Sequence, residues 1–143
     1  MSQQQFESEV KHIEFSQQRV YDKLKDMSGL EQYKSLLDGL SKDGISLDDF
    51  HFDADTASCM LRPVGRVELR IVEREEPKCI KFEATTSPIP LTLWIQIVPT
   101  AEEACKIKVT LRTELNFFLK GMLQKPLKEG VDKLAKAITQ IPY

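Results

Sequence analysis

Few side chains in this sequence could act as an acid, a base or a nucleophile, and they do not cluster. A reaction in an apolar interior needs such a group pointing inward. His12 shares the alternation of the first strand's apolar residues and could face inward, although a histidine at a strand end more often contacts solvent. His51 lies between Phe50 and Phe52 and is expected to point outward. Neither histidine therefore gives a firm catalytic assignment.

The carboxylates in the sheet region favour a surface role. Glu68, Glu83 and Glu114 all fall on the charged side of their alternating strands, where they would be solvated. The sequence contains no Walker loop, no G-x-G-x-x-G turn and no G-x-S-x-G elbow. The sequence therefore assigns no catalytic residue and neither predicts nor excludes enzyme activity.

The cysteines are odd in number and widely spaced: Cys59, Cys79 and Cys105. They form no C-x-x-C pair and have no metal-ligand spacing with the histidines. We expect three free thiols, no metal and no cofactor.

Composition indicates one ordinary folded domain, residues 1–143. With 41% hydrophobic and 29% charged residues, the chain can bury a substantial core. The net charge is −2, with 12 acidic side chains in residues 1–55 and 8 basic ones in residues 105–143. No basic cluster is dense enough for nucleic acid. No apolar run is long enough to cross a bilayer, and the polar amino terminus favours a cytoplasmic location.

The order of predicted elements is strand, two short helices, six strands and one long helix. The first strand places Phe6, Ser8 and Val10 on one face. Ser16 is a good cap for the first helix, and the pattern predicts a second short helix over Leu30–Leu37, with Leu30, Tyr33 and Leu37 facing inward.

Residues 47–115 then keep a period of two, with one apolar face and one charged face. Turn signals divide this region into six strands, the last signal being Pro99-Thr100-Ala101. Trp94 falls on the outer face, where a cation–π pair with strand cations such as Arg112 is favoured over a contact patch for a partner.

A long helix begins after Asn116 and carries an apolar stripe along one side. Pro126 cannot supply an N–H to the helix interior, so a kink or a break is expected near Met122. The fold class is therefore α+β: a seven-stranded curved antiparallel sheet around a long carboxy-terminal helix, with two short helices between strands 1 and 2.

This element order resembles the helix-grip superfamily called SRPBCC, which includes START lipid-transfer domains, the major birch pollen allergen and polyketide cyclase-like proteins. The opening motif that carries the resemblance is Val10-x-x-Ile13-x-Phe15-Ser16-x-x-x-Val20-Tyr21-x-x-Leu24-x-Asp26. Four later stretches resemble a small bacterial, polyketide cyclase-like subgroup: Pro63-Val64-Gly65, Ile71-Val72-Glu73-Arg74-Glu75, Leu93-Trp94-Ile95-Gln96 and Lys125-Pro126-Leu127.

The resemblance implies an apolar cavity between the sheet and the long helix, suited to a hydrophobic guest. Ten residues are the candidates for its lining: Leu69, Phe82, Leu93, Ile95, Val109, Leu111, Thr113, Phe118, Met122 and Leu123. Ser8, His12 and Thr113 are the polar groups that could orient a guest. The same apolar side chains could instead meet and close the core, since an apolar face looks the same in both cases.

Three functions follow from the resemblance. The first is a binding module or carrier for a small hydrophobic molecule, such as a lipid or a polyketide-like compound. The second is a cyclase or dehydratase acting on such a molecule. The third is a protein-interaction module that works through an exposed face, as in the chaperone-cofactor branch of the superfamily. The absence of an inward acid–base pair favours the first, and the chain is expected to act as a monomer or a homodimer.

Overall fold

A computed structural model of the chain describes residues 2–37, 39–42 and 44–143, without the side chains of Ser2, Leu40 and Lys42. The described residues form one antiparallel sheet and three helices. The strands are β1 (Ser2–Glu7), β2 (Lys11–Ile13), β3 (Leu40–Lys42), β4 (Ile45–Phe52), β5 (Thr56–Arg62), β6 (Gly65–Glu75), β7 (Cys79–Thr86), β8 (Leu91–Ala101) and β9 (Ala104–Leu115). The helices are α1 (Gln17–Leu24), a 3-10 helix (Met27–Leu37) and α2 (Phe117–Thr139).

The strand order across the sheet is β1-β9-β8-β7-β6-β5-β4-β3, with β2 paired to β9 beyond the end of β1. β1 and β2 are thus one interrupted strand, which gives the predicted seven long strands together with the short strand β3. Every pairing is antiparallel. The helix-grip fold class predicted from the sequence is confirmed.

The interruption of the first strand is a one-residue bulge. Glu7 is paired with Thr110, whereas Lys11 is paired with Ile107, so four steps on one strand match three on the other. Ser8 closes the gap: its backbone N–H donates to the Val109 carbonyl at 2.8 Å, and its hydroxyl oxygen accepts the Val109 N–H at 2.9 Å.

After this bulge, the inward-facing and outward-facing positions are exchanged relative to the alternation that the sequence predicts. Phe6 and Ser8 are buried as predicted, but Val10 is 49% exposed and His12 is exposed. Ile13 takes the inward position instead. His12 therefore does not face the interior, because the extra residue shifts it to the solvent side.

The helices before β3 begin as the sequence predicts. Ser16 caps α1 by accepting the Arg19 N–H at 3.2 Å, and Val20 and Leu24 are fully buried. The next helix is a 3-10 helix that starts at Met27, three residues before the predicted start.

The long helix α2 is held by both edges of the sheet. Asn116 caps it by accepting the Leu119 N–H at 2.8 Å, and the helix continues through Pro126 without a break. β1 and β3, at opposite ends of the strand order, both contact α2. The sheet is therefore curled around this helix, with the apolar core between them. No described helix combines the length and apolarity that a membrane span requires.

Pro99 lies within β8, so the turn predicted at Pro99-Thr100-Ala101 was placed two to three residues too early. β8 continues to Ala101 and the turn is formed by Glu102 and Glu103. The pairing with β9 becomes irregular between Pro99 and Ala101, where a residue without an N–H is accommodated.

The outer face of the sheet holds Trp94, as predicted. The Arg112 guanidinium carbon lies 4.9 Å from the centre of the indole ring, and the Lys81 ammonium nitrogen lies 5.7 Å away. Glu83 and Glu114 are exposed, and Glu68 is half-buried on the same face. All three cysteines are free.

The bulge in the first strand generates a test of Ser8. Ser8→Ala keeps the backbone bond to the Val109 carbonyl but leaves the buried Val109 N–H without an acceptor. We expect the free energy of unfolding to fall by about 1–3 kcal/mol in urea denaturation. Ser41→Ala, at an exposed strand serine, is the matched control and should change it by less than about 0.5 kcal/mol. Equal effects of the two substitutions would contradict the role assigned to Ser8.

Candidate functional site: an apolar cavity

The core of the protein contains a cavity of about 130 Å³. It lies between strands β4–β8, the 3-10 helix and the carboxy-terminal half of α2. The sheet contributes Phe50, Phe52, Ala57, Ser58, Cys59, Val67, Leu69, Phe82, Leu93 and Ile95. The helices and the chain after α2 contribute Leu24, Met27, Leu30, Tyr33, Leu36, Leu37, Leu134, Ala137, Ile138 and Ile141. Almost every lining side chain is a hydrocarbon.

A bulge in β4 brings two aromatic rings to this cavity. Asp48 is paired with Met60, and His51 is paired with Ser58, so β4 has one residue more than β5 over this stretch. The extra residue is Asp49, which has a φ of 55°, a conformation that aspartate tolerates better than most residues.

The β4 bulge likewise exchanges the inward-facing and outward-facing positions of the residues that follow it. Leu47 is paired with Leu61 on the inner face, and regular alternation from Leu47 would send Phe50 and Phe52 outward. With Asp49 as the extra residue, both phenylalanines line the cavity and His51 is exposed. The outward orientation predicted for His51 is confirmed.

The 3-10 helix forms one wall of the cavity and is fastened to β4 by Glu31. One Glu31 carboxylate oxygen accepts the Phe52 backbone N–H at 2.6 Å, and the other accepts the Lys34 ammonium at 2.6 Å. Both hydrogen bonds lower the pKa of Glu31, that from Lys34 having the larger effect. Five apolar lining residues come from the segment that this carboxylate holds in place: Met27, Leu30, Leu36, Leu37 and, through its ring, Tyr33.

His51 joins this fastening to the β4 bulge. Its Nε2 lies 2.8 Å from Asp49 Oδ1, and its Nδ1 lies 3.7 Å from Glu31 Oε1. The hydrogen bond from His51 and the nearby Arg66 hold the pKa of Asp49 below its ordinary value. The polar groups of this region therefore lie outside the cavity and stabilise the segments that enclose it.

The titratable groups among the lining residues are Tyr33 and Cys59. Burial raises the pKa of the Cys59 thiol to about 11, so the thiol is protonated and weakly nucleophilic at neutral pH. The Lys23 ammonium lies 5.8 Å from the centre of the Tyr33 ring, on which it packs as a cation–π contact. Neither group has an acid–base partner among the lining residues.

Four of the ten residues predicted to form the lining do so: Leu69, Phe82, Leu93 and Ile95. The others lie outside the cavity. Val109 and Leu111 are buried inward residues of β9, but they pack in the closed part of the core near β1 and α2. Leu123 is fully buried, and Met122 is half-buried against the same part of the core.

Phe118 and Thr113 also lie outside the lining, for different reasons. Phe118 is 74% exposed on the first turn of α2, so it faces solvent. Thr113 is 2% exposed, and its hydroxyl donates to the Pro90 carbonyl at 2.5 Å, which leaves no donor for a guest. Ser8 is occupied in the same way by its bonds across the first bulge.

Sequence analysis missed the contribution of the 3-10 helix and placed the cavity at the wrong end of α2. The lining residues that α2 contributes are Leu134, Ala137 and Ile138, about four turns beyond Met122. One signal was available: Leu30, Tyr33 and Leu37 were already predicted to point inward from the second short helix. An inward helix between two strands must cover some part of the concave face, and here it covers the part near β4.

Several solved structures have the same fold as this chain. No protein-family profile matches the sequence, and no curated protein is detectably similar to it. Norcoclaurine synthase from Thalictrum flavum, solved with dopamine and hydroxybenzaldehyde, is similar with a TM-score of 0.66 and 14% identity. The similarity covers 97% of this chain and 86% of that one.

Two bacterial structures are similar over nearly their whole length. A START superfamily protein from Mycobacterium smegmatis has a TM-score of 0.66 and 14% identity, covering 95% of this chain and 94% of that one. A protein of Thermus thermophilus has a TM-score of 0.62 and 20% identity, covering 96% of this chain and 95% of that one. The chain therefore has the same helix-grip fold as these proteins, which is the fold that its resemblance implies. At these identities the likeness shows the fold alone.

The position of Glu31 generates a test of the cavity wall. Glu31→Ala removes the acceptor for the Phe52 N–H and should let the 3-10 helix open more often. Because Cys59 lines the cavity, its alkylation by a small thiol reagent should become several-fold faster, measured by peptide mass spectrometry. Glu102→Ala, in the exposed β8–β9 turn, is the control and should leave the rate unchanged. An unchanged rate in Glu31→Ala would show that the carboxylate does not hold this wall.

Proposed function

We propose that this protein binds or carries a small, uncharged, hydrophobic molecule in the cavity beneath the 3-10 helix. The observation that carries the proposal is the cavity itself: about 130 Å³ lined almost wholly by carbon beneath the 3-10 helix. Native cores hold few voids larger than a water molecule, because each one forfeits packing contacts. START-like folds typically bind hydrophobic ligands, which supports the same proposal.

The lining limits the chemistry of the guest. An ion would lose its hydration without gaining a partner, since no lining residue carries a charge at neutral pH. Water is also disfavoured, because a buried water needs about two to four polar partners. The proposed guest is thus apolar, with at most one hydroxyl or carbonyl that could reach the Tyr33 hydroxyl or the Cys59 thiol.

The volume limits the size of the guest. An engineered cavity of about 150 Å³ lined by Leu, Ile and Phe binds benzene or xenon. The cavity described above is of similar size, so it suits one aromatic ring or a short branched hydrocarbon. A lipid or polyketide-like guest, which the resemblance implies, would require the 3-10 helix to move outward from β4.

Binding is proposed in preference to catalysis because of what the lining contains. The norcoclaurine synthase structure shows that the fold can host an enzyme. In this chain Glu31, Asp49 and His51, which lie at the 3-10 helix and the β4 bulge, are engaged in fastening the cavity wall. The protonated Cys59 thiol lacks an activating base among the lining residues. The cytoplasmic location and the bacterial polyketide cyclase-like subgroup stay predictions.

Two alanines in the same helix give a matched test of the cavity. Ala137 and Ala135 are both buried, but only Ala137 lines the cavity. Ala137→Leu should fill empty space and change the free energy of unfolding by less than about 1 kcal/mol, whereas Ala135→Leu should overpack the core and lower it by about 1–3 kcal/mol. Both are alanine-to-leucine changes in one helix, so differences in helix propensity cancel. The measurement is urea denaturation.

Binding is then measured with benzene by titration calorimetry. The parent protein should bind it, and Ala137→Leu should not. Equal destabilisation by the two leucines would mean that no usable cavity exists, and undiminished binding by Ala137→Leu would place the guest elsewhere. Native mass spectrometry, with solvent extraction of the purified protein, would then identify the natural guest.

A further inference from the structure

The first turn of α2 exposes two adjacent phenylalanines. Phe117 is 94% exposed and Phe118 is 74% exposed. The other large hydrophobic side chains exposed in the described part of the chain are three separate valines, each about half exposed. Single exposed apolar residues are ordinary, but two neighbouring aromatic rings almost wholly in water indicate a surface that another molecule covers.

The helix behind this aromatic pair is positively charged. The segment Phe117–Lys128 contains three lysines and no acidic residue, although the whole chain has a net charge of −2. Phe118 and Lys125 are both exposed and lie seven residues, or about two turns, apart on one side of α2, whereas Lys120 is half-buried about one turn after Phe117. Lys128 is engaged by Asp132 and the Glu7 carbonyl, whereas no ion pair joins Lys120 or Lys125 to another described residue.

From this arrangement we infer that the amino-terminal end of α2 docks on an anionic lipid bilayer. The exposed phenylalanines are followed by Lys120 one turn later and by Lys125 two turns later. On a bilayer surface the aromatic rings would enter the interface, and the lysine ammonium groups would contact anionic headgroups. A second copy of the chain fits less well. A two-fold contact through this surface would bring Lys120 and Lys125 of both copies together.

The docking surface is separate from the cavity. Phe118 and Ala137 lie about 30 Å apart along the helix axis at 1.5 Å per residue. The inference therefore does not depend on the proposed ligand, and a substitution in one place should leave the other intact. It places one end of the molecule at a membrane while the 3-10 helix, at the other end of α2, remains in water.

Vesicle flotation tests the inference with the full chain. The probe is phosphatidylcholine vesicles with and without phosphatidylserine. We expect the parent protein to float with the phosphatidylserine vesicles, and the bound fraction to fall at high salt because headgroup attraction is screened. The double variant Phe117→Ser/Phe118→Ser should bind roughly tenfold or more weakly, since the rings supply the apolar contact. Both positions are exposed, and circular dichroism checks that the fold is kept.

Two further variants separate the contribution of the lysines from that of the exposed aromatic rings. Lys120→Gln/Lys125→Gln should weaken binding and reduce its dependence on salt. Val72→Ser, at a half-exposed valine of β6, is the control for loss of an exposed apolar side chain and should bind like the parent. The inference is overturned if the parent protein fails to float, or if the serine pair floats as well as the parent. It is also overturned if light scattering shows a dimer that the serine pair abolishes, because a second copy would then cover the surface.

Discussion

Burial of one face of α2 by a curled sheet is the constraint on which the rest of this structure depends. The helix presents apolar side chains from Leu123 to Ile138 to the inside of the sheet, and Leu123 and Ala135 are fully buried. A flat sheet would cover only one side of such a helix, so both sheet edges, β1 and β3, come round to contact it. The bulges after Glu7 and at Asp49 permit that curvature, because a bulge bends its strand and increases the local twist.

The same constraint explains the cavity. Near β1 and β9 the sheet is close to α2, and side chains such as Val109 and Leu123 fill the space between them. β3 and β4 also contact α2, but between β5 and β8 the sheet and the helix leave the cavity, and the 3-10 helix forms its third wall. Its hydrogen bond from Phe52 to Glu31 fastens that wall at the bulge that turns the two phenylalanines inward. One local irregularity in β4 thus supplies both aromatic lining and the attachment of the wall.

Alternation and helical period were sufficient to predict the element order, the antiparallel pairing, the cap at Asn116 and the outward position of Trp94. They could not predict the extra residues after Glu7 and at Asp49, because a bulge changes which face a residue occupies without changing the sequence pattern. For this reason His12 was placed on a possible inner face. The four lining residues predicted correctly, Leu69, Phe82, Leu93 and Ile95, lie on regular central strands. The cavity was predicted at the wrong end of α2 for another reason. The helical period identifies which face of a helix is buried, but not where along that face the packing is incomplete.

An apolar cavity lies between Leu69, Phe82 and Ile138. Xenon is the most direct probe, because it enters dry apolar cavities and needs no polar partner. A crystal of the parent protein pressurised with xenon should show one strong site among these three side chains. The same experiment on Ala137→Leu should show none there. Ordered water at that position in the parent protein, or side chains that fill it and exclude xenon, would contradict the account.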